Sequence, residues 1–137
     1  MSEGTSLEEL IMRLMREQNS LRDFDDAIAG HLGWKPAFET TFDQETGKNK
    51  TVQLRKWHPP NSDQLRRVPS FTTHLHAALD LARSVAPNEP IGVSWSSDDR
   101  AYAKIGDARL VSAFTPMLAL CAASLLIVRR KGSTSGN

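Results

Sequence analysis

The residues best able to do chemistry in this 137-residue chain are six cations and two rings packed into a short stretch. Lys48, Lys50, Arg55, Lys56, Arg66 and Arg67 lie within twenty positions of one another, with Trp57 and His58 between them. Cations of this density can neutralise phosphates or carboxylates, and an exposed indole among them can stack a base. The competing structural reading is a solvated hairpin whose Trp57 packs on its own sheet or under Pro59 and Pro60. The stretch is therefore the candidate partner- or phosphate-binding segment, a solvated hairpin being the simpler alternative.

Other reactive types are present without the company that chemistry needs. The four histidines are His31, His58, His74 and His76. The last two fall two apart on an expected helix, about 200° apart in direction, so they cannot share a metal. Cys121 is the only cysteine and sits in an Ala- and Leu-rich run with no His or Lys beside it, which suits a core residue better than a nucleophile. Asp98-Asp99 in Ser-Ser-Asp-Asp-Arg reads as turn chemistry rather than as an acid pair. The sequence holds no Walker loop, Gly-x-Gly-x-x-Gly, Gly-x-Ser-x-Gly or His-Glu-x-x-His motif. No catalytic residue, metal or cofactor is expected, and binding is the expected mode of action.

Charge sharpens this. The net charge is +1, but residues 1–43 carry nine acids and four bases, whereas residues 44–137 carry seven acids and thirteen bases. Such polarity argues against a uniformly basic nucleic-acid coat and allows a local basic patch. It also permits head-to-tail association of copies.

The elements that must position these residues follow from periodicity. Ser6-Leu7-Glu8-Glu9 fits a capping box, and Leu7, Leu10, Ile11, Leu14 and Met15 follow at helical spacing. Ser20 and Asp23 repeat the cap pattern before Leu21, Phe24, Ile28 and Leu32. This predicts two helices broken near Asn19, or one kinked helix. Phe38, Thr40 and Phe42 then alternate with polar residues, the period of a half-buried strand. Asp43 to Asn49 is turn chemistry, and Val52 to Trp57 makes the second strand, ended by Pro59-Pro60.

Thr72 or Thr73 is expected to cap a helix facing inward through Leu75, Ala78, Leu79, Ala82 and Val85. Ile91 to Trp95 and Tyr102 to Ile105 form a second hairpin. Thr115-Pro116 opens a last helix with a cap and a first-turn proline. Ala113 to Val128 spans 16 apolar-rich residues, short of the roughly 20 a membrane helix needs, so this helix is expected in a core. Arg129 to Lys131 suit its C-terminal end, and Gly132 is expected to stop it. Phe71-Thr72 echoes Phe114-Thr115, each after a hairpin, as two β-β-α units would. The length suits one α+β domain over 1–132, with 133–137 an unstructured tail.

Three motifs then carry a likeness. Asp23-Phe24-Asp25-Asp26-Ala27-Ile28-Ala29 leading to Leu32-Gly33-Trp34 is the first. Val68-Pro69-Ser70-Phe71-Thr72-Thr73 with Ala77-Ala78-Leu79 is the second. The third is Phe114-Thr115-Pro116 with Ala119-Leu120-Cys121-Ala122-Ala123. Together they resemble the phage ABA-sandwich domain family over about residues 7–128. The resemblance implies an α-β-α layered sandwich with about four mostly antiparallel strands, N-terminal helices, a middle helix and a buried C-terminal helix. It brings no catalytic residues.

What it implies for function is a phage or prophage accessory protein that binds a host or phage protein, with nucleic acid as the alternative partner. A third alternative is a nucleotide-binding protein or small enzyme with an interface site. The N-terminal residues lack the basic start and apolar run of a secretory signal, so the cytoplasm of a bacterial host is the expected location, away from membranes.

Overall fold

In a computed structural model the protein is described over residues 6–18, 22–96 and 100–135, with side chains described to residue 132. Two compact units emerge, one from residues 1–28 and 69–137, the other from residues 29–68. The class is α+β, with four helices and five antiparallel strands in two sheets among the described residues.

The larger unit is built around one helix. Helix α4 (Pro116–Ser135) starts where the sequence predicts, the Thr115 hydroxyl accepting from the Leu118 amide at 3.0 Å. Every residue from Leu118 to Leu125 is buried. A helix apolar on all sides cannot sit at a surface, and α4 has neighbours all round. It packs on α1 (Leu7–Arg16), on α3 (Leu75–Val85) and on a sheet in the order β3 (Ile91–Trp95), β4 (Ala101–Ile105), β5 (Val111–Ala113).

Small side chains let the sheet approach. Ala101 and Ala103 on β4 and Ala113 on β5 are buried, while Tyr102 and Lys104 on the other face of β4 are exposed. Helix α4 thus packs against both helices and strands, and α1 also meets β5. Strand β5, three residues long, is too short to leave a period in the sequence. No described helix is long and apolar enough to cross a membrane.

Some local expectations change. Helices α1 and α2 (Arg22–His31) are separate, because Glu17 leaves the helical region at φ −74°, ψ 135°. Residues 19–21, with the Ser20 cap, lie outside the described residues, as do 97–99 with Asp98-Asp99. Helix α3 starts later than predicted, at Leu75, with His74 as a cap residue whose side chain makes no capping hydrogen bond. Thr72 instead is fully buried and its amide and hydroxyl both donate to Asp25 Oδ1 at 2.9 Å. A buried hydroxyl needs a partner, and the carboxylate supplies one for both donors. The inward stripe of α3 is Ala78, Leu81, Ala82 and Val85, so Leu81 replaces Leu79.

Gly132 does not end α4, which runs on to Ser135; a helical glycine costs about 1 kcal/mol relative to alanine and need not break a supported helix. Lys131 helps hold the end by donating to the Val85 carbonyl. Of the expected tail, residues 133–135 are helical in backbone, and 136–137 lie outside the described residues.

The smaller unit is a long two-stranded ribbon with a folded-back loop. Strand β1 (Lys35–Asp43) pairs antiparallel with β2 (Lys48–His58), Asp43 opposite Lys48 and Lys35 opposite His58. Gly47 takes φ +70° in the connecting turn, a conformation costly for a residue with a Cβ. The Asp43 carboxylate accepts from the Glu45 amide at 2.9 Å, closing the turn with a side chain predicted for it. Register shifts between Pro36 and Phe38, so that Gln53 pairs with Phe38 and Trp57 with Pro36.

Candidate functional site

Cross-strand partners in an antiparallel pair share a face, so the register of the ribbon sorts its side chains. One face carries Phe38, Thr40 and Phe42 from β1, with Gln53, Thr51 and Asn49 opposite them on β2. The other face carries Glu39, Thr41 and Asp43, with Val52, Lys50 and Lys48 opposite. Both strand carboxylates thus fall on the second face. The first is free of acids.

That first face is open to solvent. Phe38 is 60% exposed and Phe42 63% exposed, which overturns the expectation of a half-buried strand. Strict alternation is the signature of two unlike faces; here the apolar face is left uncovered rather than packed. Four residue steps along the strand separate the two rings, about 13 Å along the ribbon. Between them the hydroxyls of Thr40 and Thr51 bond across the strands at 3.3 Å.

The loop after β2 brings a cation to the edge of the ribbon. Trp57 and Arg66 exchange both backbone hydrogen bonds, each 2.8 Å, so Arg66 stands beside Trp57 as a third-strand residue. Pro36, Trp57 and Arg66 therefore form one row across the ribbon. Trp57 is half-buried there, while Arg66 and Arg67 are exposed. Arg55 and Lys56 are also exposed and fall in the shifted stretch between Gln53 and Trp57.

The eight candidate residues are accordingly divided. Trp57 and Arg66 are brought together. Lys48 and Lys50 lie on the opposite face, among the carboxylates, and His58 closes the base of the ribbon opposite Lys35. None of the unit's lysines and arginines forms an ion pair with a described residue. Residues 29–68 hold seven bases and four acids in a chain of net charge +1, so the ribbon concentrates positive charge. Phe38 and Phe42 are exposed on this face but are not among the candidate residues that the sequence offers. Their signal is the Phe-x-Thr-x-Phe alternation, whose period predicts a half-buried strand.

Near the base, Gly33, Lys35, His58, Pro59, Asn61, Ser62 and Asp63 line a polar hollow of about 340 Å³. His58 Nδ1 lies 3.1 Å from the Asp63 carbonyl, and the Ser62 hydroxyl accepts from the Gln64 amide at 3.2 Å. The described contacts join Ser62 and His58 to backbone groups and not to each other, so a nucleophile–base pair is not assembled.

Elsewhere, Cys121 is fully buried and its thiol donates to the Phe71 carbonyl at 3.3 Å. Burial, with the charge of Asp25 adding to it, pushes this thiol upward, away from the reactive thiolate. His76 pairs on the surface with Asp80 at 3.3 Å. Among the described residues no group of three or more His, Cys, Asp or Glu is placed to hold a metal. No protein-family model matches the chain, and neither a characterised protein nor a solved structure matches it.

Proposed function

We propose that this protein acts by binding, and that the carboxylate-free face of the β1–β2 ribbon engages a single strand of nucleic acid. The observation that carries this reading is the pair of rings, Phe38 and Phe42, each about three-fifths exposed on a face without acids. Every base has a π-face, and stacking on an aromatic side chain contributes about 1–3 kcal/mol per base. Thr40, Asn49, Thr51 and Gln53 supply hydroxyl and amide groups between the rings, and Arg66 supplies a guanidinium at the Trp57 row.

A protein partner is the second reading, favoured by Val52, which is 44% exposed on the opposite face. A two-stranded ribbon is marginal alone, and apolar side chains on both of its faces suit a surface that another chain covers. The phage or prophage accessory role implied by the family resemblance belongs to this second reading.

The test is binding of a labelled oligothymidylate over a salt series. On a single strand each phosphate contact contributes about −0.7 to the log-log slope. Replacing Arg66 with alanine should flatten the slope by roughly 0.7. Lys48→Ala with Lys50→Ala, on the carboxylate-bearing face, should leave it unchanged. Phe38→Ser with Phe42→Ser should weaken binding at every salt concentration with the slope intact. No retention of the oligonucleotide even at low salt would give the face to a protein partner.

A further inference from the structure

The arginines of the larger unit fall into two groups. Arg22 pairs with Asp25, Arg83 with Asp80 and Arg130 with Asp107. Arg13 lies over the Phe24 ring at 5.2 Å and Arg100 over the Phe114 ring at 4.9 Å. The remaining three, Arg16, Arg109 and Arg129, make no ion pair or ring contact with a described residue. All three line the same groove.

This groove, of about 430 Å³, runs between α1 and α4 beside the β4–β5 connection. Its floor is apolar, made by Ile11, Met12, Met15 and Leu126, and its one carboxylate is Glu8. Met12 is 53% exposed although it faces no solvent-favouring chemistry of its own. Three cations from three separate elements converge on an apolar hollow and outnumber its acid three to one.

We propose that the groove is a docking site for an amphipathic helix of a partner protein, one with carboxylates flanking its apolar stripe. The charge count selects this occupant. A compact amphiphile with one carboxylate would engage one guanidinium and leave two unanswered. A polyanion without apolar groups would leave the floor uncovered. A helix offers several acids at turn spacing and apolar anchors at i, i+3/i+4 and i+7 between them. Methionine suits such a floor, because its unbranched side chain repacks around different anchors. Arginine suits the rim, because its planar fork meets carboxylates in a bidentate fashion. The inference is independent of the ribbon and of what the ribbon binds.

The test uses the full-length protein and a labelled model helix of about 16 residues, long enough to hold helical structure. The helix carries leucines at i, i+4 and i+7 with glutamates beside them. A scrambled peptide of equal composition and a twin with lysine for glutamate serve as comparisons. Anisotropy should show the glutamate helix binding at least about tenfold more tightly than either comparison.

Combined Arg16→Glu, Arg109→Glu and Arg129→Glu should invert the preference toward the lysine twin, which misfolding cannot do. Met12→Asp should weaken binding about tenfold with Tm unchanged, since the side chain is already half in water. Phe38→Ser with Phe42→Ser should leave peptide binding as it was, which separates this site from the ribbon. Equal binding of the scrambled peptide, or a preference unmoved by the triple reversal, overturns the proposal. So does displacement of the peptide by dodecanoate at equal concentration, which would assign the groove to a lipid-like anion.

Discussion

Helix α4 and the β1–β2 ribbon treat their apolar residues in opposite ways. In the larger unit, α4 is buried from Leu118 through Leu125, with the sheet on one side and α1 and α3 on others. In the smaller one, Phe38, Phe42 and Val52 stand 60%, 63% and 44% exposed on the ribbon. Burial of a large apolar side chain stabilises a fold by about 1.5–3 kcal/mol, so the ribbon forgoes a gain that the helix-centred unit takes. Residues kept out of a core at that cost are where binding should be sought. The difference separates a helix that holds its unit together from a ribbon whose rings are left in solvent.

The sharpest way to break the comparison is to charge the central helix. Leu118→Asp or Leu125→Asp places an unpaired carboxylate where each side chain has no exposure, and should cost roughly 4 kcal/mol or more. Loss of native circular dichroism is expected; a native spectrum from either variant would mean that α4 is not central. Next in size is Asp25→Ala. Removing the carboxylate takes away the acceptor to which the buried Thr72 amide and hydroxyl both donate, an expected loss of roughly 2–3 kcal/mol in urea unfolding. Thr115→Ala should cost about 1 kcal/mol through the missing cap of α4.

A smaller effect of opposite sign is expected at Asp26. Burial, with Asp25 and Asp23 beside it, raises its carboxyl above the usual range, against the lowering influence of Arg22. The folded state therefore holds that proton more tightly than the unfolded state does. The stability this adds is complete in acid and is lost as pH rises through the raised value, so at neutral pH the ionised group opposes folding. Asp26→Asn should raise Tm at pH 7 and lose that advantage in acid. A Tm unchanged at pH 7 would show that the carboxylate is adequately solvated.

How far the sequence reaches differs between the units for a physical reason. Caps and helical stripes are local, so Ser6, Thr115, the core run after Pro116 and both hairpins were legible. Helix starts set by distant partners were not: Thr72 looks like a cap until Asp25, 47 positions away, is seen to claim both its donors. The ribbon's cations were legible as a cluster, but their division between two faces depends on the strand register and the shift after Pro36. Alternation marks a strand with two unlike faces. It carries no information on whether another layer covers the apolar one, and so it predicts burial for Phe38 and Phe42 that the structure does not show.

The smallest expected effect on stability is also the one that most tests the comparison. If Phe38 and Phe42 contribute nothing to a core, Phe38→Ser with Phe42→Ser should shift unfolding by no more than about 0.5 kcal/mol, the range of ordinary surface changes. Serine in place of phenylalanine lowers strand propensity, so a slight loss confined to the ribbon is the expected sign. The same pair buried in α4's surroundings would cost several kcal/mol each. A large loss of Tm would mean that the rings pack, and the division between a holding unit and a presenting unit would fall. An unchanged Tm together with lost oligothymidylate binding would place the rings at the ligand. An unchanged Tm with unchanged binding would move the search for this protein's ligand to the arginine-rimmed groove between α1 and α4.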